Sequence, residues 1–374
     1  MININRILVL CWKEFLLLIK DPKARLFLIG PPLIQLFIFA YAATLEVKNA
    51  KIAICNHDGG QLSQNFVEHL AAAPWISELI ETYDINQISD WIEKQVVLAG
   101  VIIPQSFESN ILSQQIIEES VVFLYTDGRR ANASQLVGGY IQNICDQMTR
   151  EIQFQSVAPQ PIARYWYNPN LQAIWGTVPA LVAIISMLMG FLVTALSIAR
   201  EKEMGTLDSL FVAPIRSFEV LLGKAGPAFI VGMFQALLMT LVGSWWMQIP
   251  FQGHLSALML ICAAFIYSVI GLGLLISCLA RTQQQAIVGI FFMMVPCVTL
   301  SGYAAPIENM PMWLQYCSTI NPLTYGLFGI RGVFLKNLSI FILLKLCAIL
   351  VTIGSVFLGI AHHVFDNRLI TGTS

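Results

Sequence analysis

Charged residues are scarce in this chain, and their scarcity excludes an ordinary soluble fold. Asp, Glu, Lys and Arg account for 11% of the 374 residues, whereas hydrophobic residues account for 56%. Soluble domains carry about 25% charged residues, so the balance here is shifted strongly toward apolar side chains. The mean hydropathy of +0.69 agrees with that shift. The composition therefore predicts an integral membrane protein.

Catalytic, nucleotide-binding and metal-binding motifs are also missing. Gly223-Lys224-Ala225 lacks the upstream glycine spacing and the following Ser or Thr of a phosphate-binding loop, so we expect no ATP bound by that route. The five histidines and eight cysteines show no spacing typical of metal ligands. We therefore expect no enzyme activity and no cofactor or metal bound by this chain. Cys55 and Cys145 would pair only if their part of the chain faces an oxidising compartment.

We also expect that the first twenty residues are not a cleavable signal peptide, because Lys13 and Glu14 interrupt the first apolar run. Residues 1–25 instead repeat apolar side chains at helical spacing with basic residues between them, which predicts a cytoplasmic interfacial helix. Long uncharged runs follow, and a run of about 20 residues crosses the roughly 30 Å hydrocarbon core. Six runs predict a polytopic α-helical membrane protein with six transmembrane helices, at residues 26–45, 174–199, 225–249, 255–280, 286–305 and 340–364.

The block between the first two runs, residues 46–173, has a soluble composition. It holds fourteen acidic and seven basic residues, which is a net charge of −7. Strand-like runs at Lys51–Cys55, Val96–Ile103 and Val121–Tyr125 alternate with helical segments. That alternation predicts a small α/β domain inserted between spans one and two.

The distribution of basic residues sets the predicted orientation. Cytoplasmic segments of membrane proteins carry an excess of Lys and Arg near the ends of the spans. With the N-terminus inside, the short outer segments carry only Arg331 and Lys336. The segment at 200–224 and the C-terminal tail at 365–374 are therefore expected in the cytoplasm. The α/β domain and an amphipathic, re-entrant segment at 306–339 are expected outside.

A charged segment, Arg200–Ile215, begins abruptly after the second run. Thr206 can cap a short helix, Asp208 lies in its first turn, and Pro214 ends it. The apolar face of that helix consists of Leu207, Leu210 and Phe211. A small amphipathic helix at the end of a span can dock in a groove of another protein or lie on the lipid headgroups, and the pattern alone does not separate the two.

Short motifs follow one another in order along nearly the whole chain. They are Lys51-Ile-Ala-Ile, Leu62-Ser63, Asp127-Gly128, Tyr165-Trp-Tyr-Asn-Pro-Asn-Leu171, Arg200-Glu-Lys-Glu-Met-Gly-Thr206, Gly223-Lys224, Gly273-Leu-Leu-Ile-Ser277, Thr282-Gln-Gln-Gln-Ala286, Ser301-Gly302, Pro306-Ile-Glu-Asn-Met-Pro311 and Asn321-Pro322. Each motif is weak alone, but the ordered series is strong. It resembles the permease subunit of bacterial type-2 ABC exporters, in particular multidrug-efflux permeases with a large extracytoplasmic domain.

The resemblance implies that two permeases, the second being a copy or a paralogue, form the pathway. Two cytoplasmic ATPase subunits, which hold the ATP and magnesium, would drive it. The implied residues that couple the permease to the ATPase are Glu201, Glu203, Gly205, Thr206, Leu207, Leu210 and Phe211. A periplasmic membrane-fusion adaptor is a further expected partner. The lipid bilayer surrounds the spans, and no nucleic-acid partner is expected.

Spans two and five line the pathway in such permeases, and both are rich in Met and Phe here. Soft apolar side chains adapt to amphiphilic substrates, although packing against protein or lipid explains the same residues. The polar Gln35 in span one also suits a hydrogen bond between helices. The residues that could line the translocation path are Gln35, Met187, Phe191, Phe292 and Met293.

We therefore expect an ATP-driven exporter in a bacterial inner membrane that moves amphiphilic drugs or lipid-like compounds out of the cytoplasm or inner leaflet. Two other classes are alternatives. An ion-coupled secondary transporter needs charged residues inside its spans, and only Lys345 lies there. A membrane-anchored sensor needs a cytoplasmic output domain, for which the inner segments are too short.

Overall fold

The computed structural model describes residues 4–42, 50–105, 107–112, 122–126, 131–152, 173–206 and 215–371. The chain divides into two compact units. One, which we call the membrane unit, comprises Met1–Ala43 and Tyr165–Ser374. The other, which we call the α/β unit, comprises Thr44–Arg164.

Two helices open the membrane unit, α1 (Ile4–Lys20) and α2 (Pro22–Ala42). None of the residues of α1 is fully buried, which agrees with the amphipathic pattern that predicts an interfacial helix. Two prolines, Pro31 and Pro32, lie inside α2. The apolar segment Leu28–Phe39 of α2 lies within the uncharged run 26–45 that predicts the first span.

The α/β unit is built on a four-stranded sheet. Its strands are β1 (Ala50–Asn56), β2 (Ile76–Glu81), β3 (Ala99–Ile103) and β4 (Phe123–Thr126). They lie in the order β2-β1-β3-β4, with β1 parallel to β2 and β3, and with β4 antiparallel to β3. The predicted α/β region is confirmed. The sequence pattern does not predict β2, because this edge strand carries two exposed glutamates in place of an unbroken apolar run.

Helices cover both faces of the sheet: α3 (Gln61–Ala71), α4 (Ile85–Glu93), α5 (Phe107–Leu112) and α6 (Ala131–Ile152). Ile52 and Ile54 share one apolar core with residues of α3 and α6. Cys55 belongs to a separate core on the opposite face, where Ile88 of α4 packs. Cys145 of α6 borders the first core. Cys55 and Cys145 therefore lie on different faces of the sheet, and both thiols are free.

The rest of the membrane unit is helical. After α7 (Ala173–Glu203), the helices in chain order are α8 (Ser217–Leu241), α9 (Leu255–Leu279), α10 (Gln283–Thr299), α11 (Met312–Ile320), α12 (Pro322–Lys336) and α13 (Ile340–Thr371). α8 continues into a π-helical turn, and a single 3-10 turn precedes α11. α9 is central, because it packs against α7, α8, α12 and α13.

Four helical segments in the described part of the chain are long and apolar enough to cross a membrane. They are Ile174–Glu203, Ser217–Trp246, Leu255–Leu279 and Ile340–Asn367. Two shorter apolar segments, Leu28–Phe39 and Gln283–Thr299, fall at the predicted first and fifth spans. The prediction of a polytopic helical membrane protein is thus confirmed, whereas the count of six spans stays a prediction.

The predicted re-entrant segment at 306–339 contains a packed helix that its sequence pattern does not reveal. Asn321 caps α12 by accepting a hydrogen bond from the backbone N–H of Leu323 at 3.0 Å. Gly326 of α12 faces the ring of Phe265 in α9 so closely that a Cβ there would lie 2.5 Å from the ring. Glycines lower the apolar content of α12, although they are what permits its close approach to α9.

Candidate functional site

The end of α7 is followed by a glycine in the left-handed backbone region. Gly205 has a φ of +67°, and its N–H donates to the carbonyl oxygen of Lys202 at 3.2 Å. The N–H of Thr206 donates to the carbonyl oxygen of Glu201 at 3.0 Å. This pair of bonds is a Schellman motif, which satisfies the last carbonyls of a helix and needs a left-handed residue. Gly205 therefore fixes the direction in which the chain leaves α7.

The predicted coupling helix begins immediately after that motif. Thr206 is the last described residue before it, and its Oγ1 lies 3.4 Å from the carbonyl oxygen of Glu201. Three of the predicted coupling residues lie outside the described residues: Leu207, Leu210 and Phe211. The coupling helix itself therefore stays a prediction.

A buried lysine joins three helices beside the end of α7. Lys224 of α8 is only 4% exposed, and its Nζ lies 2.8 Å from Oε2 of Glu201 in α7. The same Nζ lies 3.3 Å from Oε1 of Glu14 in α1, and it donates to the carbonyl oxygen of Ser197 at 3.3 Å. A buried charge is tolerated only when it is paired, so these contacts account for the burial of Lys224. We call Glu14, Glu201 and Lys224 the charged triad.

Glycines on α8 bring α1 within reach of Lys224. A Cβ added at Gly223 would lie 2.7 Å from Cβ of Leu10, and one at Gly226 would overlap Sγ of Cys11. Because both contacts come from α1, the two glycines form a groove that receives this helix. The charged triad then fixes α1 against α8 and α7.

A second lysine ties α7 to α9. Nζ of Lys202 donates to the carbonyl oxygens of Ser277, Cys278 and Ala280 at 3.2, 2.7 and 2.9 Å. These carbonyls lie at the C-terminal end of α9, where the helix dipole favours a cation. Oγ of Ser277 also accepts a hydrogen bond from the N–H of Ile198 at 3.1 Å. The last turns of α7 and α9 are therefore held together.

Replacing Lys202 with methionine is expected to lower the unfolding free energy of the protein by about 1–2 kcal/mol, because three helix-end carbonyls lose a charged donor. The midpoint of thermal unfolding in detergent micelles measures the loss. Lys20→Met is the matched control, because Lys20 is an exposed lysine in the last turn of α1. Equal midpoints for the two variants would contradict a capping role for Lys202.

Glu203, the second acidic residue of the predicted coupling set, also forms hydrogen bonds within this chain. Oε2 of Glu203 accepts hydrogen bonds from the backbone N–H of Gln283 at 2.8 Å and from its Nε2 at 3.3 Å. Gln283 is the first residue of α10, and a carboxylate is favourable at that end of a helix. Substituting Glu201 or Glu203 would therefore alter the permease itself as well as any contact with a partner.

A cavity of about 680 Å³ opens beside the charged triad. Its walls come from α1, α2, α7, α8 and α10. Its charged lining residues are Lys13, Glu14, Asp21, Arg200, Glu201 and Lys224. Its principal apolar lining residues are Leu17, Leu18, Leu28, Met189, Leu192, Val193, Leu196 and Ile287. The cavity thus presents both an apolar and a charged lining to an occupant.

The structure does not bring the predicted path residues together. Met187 and Phe191 are fully buried in the helical core, whereas the side chain of Phe292 on α10 is 79% exposed. Gln35 and Met293 are half-buried. Within one chain, Met187 and Phe191 contact protein, so the path through these five residues stays a prediction.

The sequence pattern does not reveal the charged triad. In the sequence, Lys224 is interpreted only as a basic residue next to a predicted span. Glu14 is interpreted only as a charge that interrupts the first apolar run. The only available signal is that both charges interrupt apolar patterns. The two residues are 210 positions apart in the chain, and they meet only because the helices pack together. A local sequence pattern cannot indicate such a contact.

Comparisons with known proteins agree on one family. The family model described as ABC-2 family transporter protein matches residues 26–362. The probable multidrug ABC transporter permease YbhR of Escherichia coli (strain K12) is 38% identical over 339 residues, which cover 90% of this chain and 91% of the relative. The probable multidrug ABC transporter permease YbhS of the same strain is 29% identical over 371 residues, or 98% of each chain. The inner membrane transport permease YhhJ, also from that strain, is 25% identical over 319 residues, which cover 83% of this chain and 84% of the relative.

Proposed function

The chain belongs to the ABC-2 family of transporter proteins, and from this we propose that it exports amphiphilic drugs or lipid-like compounds from the cytoplasm or inner leaflet. It is the membrane permease of an ABC transporter, a multi-pass protein of the inner membrane, and it works with an ATPase subunit. ATP and magnesium would bind to that partner. Two relatives named as probable multidrug permeases support drugs as cargo.

Six spans are part of this proposal. α2 and α10 supply the first and fifth, because both contain apolar helix at the places where the uncharged runs 26–45 and 286–305 occur. A helix rises about 1.5 Å per residue, so each apolar segment must be extended by neighbouring residues to cross the bilayer. The α/β unit then lies outside, between the first two spans.

The observation that supports coupling most directly is the position of the charged triad. Glu201 lies one turn before Gly205, and the predicted coupling helix follows at once. A displacement of that helix by the ATPase would be transmitted to α7 through the Schellman motif. From α7 it would be transmitted to α8 and α1 through Lys224, and to α9 through Lys202. The work of ATP hydrolysis would thus reach four helices from one short segment.

The cavity beside the triad is the proposed point of entry for cargo. Its volume of about 680 Å³ lies within the range of about 300–1,000 Å³ that is typical of small-molecule sites. Its apolar wall suits the hydrocarbon part of an amphiphile, and its charged side chains suit the polar part. A second copy or a paralogue would complete the pathway, and a periplasmic membrane-fusion adaptor is a further proposed partner.

Reconstitution with the partner ATPase tests the proposed function. When the permease and the ATPase are purified together in proteoliposomes, we expect amphiphilic drugs to stimulate ATP hydrolysis and to move across the bilayer. An ATPase variant that cannot hydrolyse ATP is the control for drug movement by leakage. Drug movement at an equal rate with that variant, or driven by an ion gradient alone, would refute an ATP-driven exporter.

A further inference from the structure

The topology of the α/β unit creates a crevice that the proposed function does not involve. The connection from β1 through α3 leads to β2 on one side of β1, and the connection through α4 leads to β3 on the other side. α3 and α4 pack on opposite faces of the sheet. Where successive connections diverge in this way, ligands bind in the crevice at the carboxyl ends of the parallel strands.

A cavity of about 540 Å³ lies at that place. His57 follows β1, Pro104 and Gln105 follow β3, and Ile85 begins α4. The remaining lining residues, Ile102, Phe123 and Tyr125, come from β3 and β4. The volume lies within the range of about 300–1,000 Å³ that holds a drug-sized molecule. We call this cavity the switch-point cleft.

The sheet leaves two aromatic rings uncovered in the switch-point cleft. Ile88 of α4 packs so closely on Gly100 of β3 that a Cβ at that glycine would overlap it. Tyr125 pairs with Gly100, and Phe123 pairs with Ile102, so both rings lie beside α4 rather than beneath it. Phe123 is 43% exposed and Tyr125 is 47% exposed. Large exposed apolar side chains grouped in a concave site mark a binding surface.

The polar side of the cleft is suited to binding rather than to covalent chemistry. Nε2 of His57 lies 3.1 Å from Sγ of Cys55, which is fully buried beneath it. Burial, and then the nearby charge of Asp84, raise the pKa of the Cys55 thiol. The thiol therefore stays protonated and inaccessible, and its contact holds the imidazole of His57 in place.

Carboxylates of this chain already occupy the places where an anion would bind. Helix N-termini attract anions, and α3 and α4 both begin at the carboxyl ends of the parallel strands. Asp84 caps α4 by accepting a hydrogen bond from the N–H of Asn86 at 2.9 Å. Asp58 accepts from the N–H of Gly60 at 3.3 Å at the start of α3, and Glu108 lies against the same glycine. The described side chains at the carboxyl ends of the parallel strands are therefore acidic in balance.

The two basic side chains that the structure describes in this unit, Lys51 and Lys94, lie toward the amino ends of the parallel strands. Lys51 is near the start of β1 and pairs with Glu78 at 2.6 Å. Lys94 is at the end of α4 and pairs with Asp90 at 2.7 Å. Asp58, Asp84 and Glu108 lie at the same end of the parallel strands as the cleft, and their charge favours a cation there. The face of an aromatic ring also attracts positive charge.

We propose that the switch-point cleft binds an organic cation with bulky apolar substituents. The rings of Phe123 and Tyr125 hold the substituents. The carboxylate of Asp84, which directly precedes the lining residue Ile85, attracts the charge through space. Binding requires neither ATP nor a partner subunit, so the site is independent of the proposed export function.

Tetraphenylphosphonium and tetraphenylborate test this proposal, because the two ions have nearly the same shape and opposite charge. Equilibrium dialysis of the purified full-length chain in detergent micelles, with empty micelles as blank, measures the affinity of each. We expect saturable binding of the cation, weakened about tenfold or more by Tyr125→Ala. Asp84→Asn should weaken it several-fold while keeping the helix cap, because asparagine also caps helices.

Two variants separate this site from general adsorption. Tyr125→Phe keeps the aromatic ring and should bind tetraphenylphosphonium like the natural chain. Tyr83→Ala removes a tyrosine that is 82% exposed and lies outside the lining of the cleft, and it should also leave the affinity unchanged. Unchanged affinity in Tyr125→Ala, or equal loss in Tyr83→Ala, would overturn the proposal. So would equally tight binding of tetraphenylborate that depends on Tyr125. Any of these results leaves the exporter function untouched.

Discussion

Replacing Lys224 with methionine is expected to abolish ATP-driven transport and to lower the unfolding free energy by about 3–5 kcal/mol. The side chain of Lys224 is 3% exposed, and its two carboxylate partners are 14% and 18% exposed. Methionine fills a similar volume but leaves Glu14 and Glu201 as nearly buried charges without a counter-ion. Thermal unfolding in micelles and drug transport in proteoliposomes measure the two effects.

A neutral triple variant separates stability from coupling. Combining Lys224→Met with Glu14→Gln and Glu201→Gln removes all three charges, so no buried charge is left unpaired. Replacing a whole buried ion pair is often close to neutral for stability, and we expect most of the loss to be recovered. Transport per ATP hydrolysed should nevertheless stay low, because α1, α7 and α8 have lost their common anchor. Full recovery of transport together with stability would assign the triad a structural role only.

Local patterns suffice for the class of this protein and for much of its architecture. Apolar runs need no tertiary contact to be recognised, so the long helices from Ile174 and from Leu255 are evident in the sequence. The buried strands β1 and β3 are evident for the same reason. β2 and α12 are not, because glutamates at a sheet edge and glycines at a helix contact both reduce the apolar signal on which the prediction rests.

The candidate site is only partly accessible to sequence analysis. The resemblance to type-2 ABC permeases, confirmed by the family match, directs attention to the segment after Glu201. It does not indicate that Glu201 and Glu203 are bound to Lys224 and Gln283, since those contacts join residues that are distant in the chain. Buried charges are the residues that sequence patterns predict least well. The free energy of burying a charge depends on its partners, and only the fold brings those partners together.

Replacing Gly205 with valine is expected to reduce transport about tenfold or more while leaving membrane insertion and abundance unchanged. A β-branched residue in the left-handed region costs about 1–3 kcal/mol, so the Schellman motif at the end of α7 should open. The chain would then leave α7 in another direction and displace the predicted coupling helix from the ATPase. Transport in proteoliposomes and co-purification of the ATPase measure the loss.

Gly205 permits a clean test because its positive φ, and not close packing, is what calls for glycine. Among the described residues a Cβ at this position would meet nothing within 4 Å, so we expect the penalty to arise in the backbone. Asparagine adopts the left-handed region more readily than other residues, and Gly205→Asn should therefore keep most of the transport. Gly359→Val is the control for bulk, because Gly359 is an exposed glycine of α13 with equally open surroundings and no positive φ. If Gly205→Val transports as well as Gly359→Val, the direction in which the chain leaves α7 does not matter for coupling.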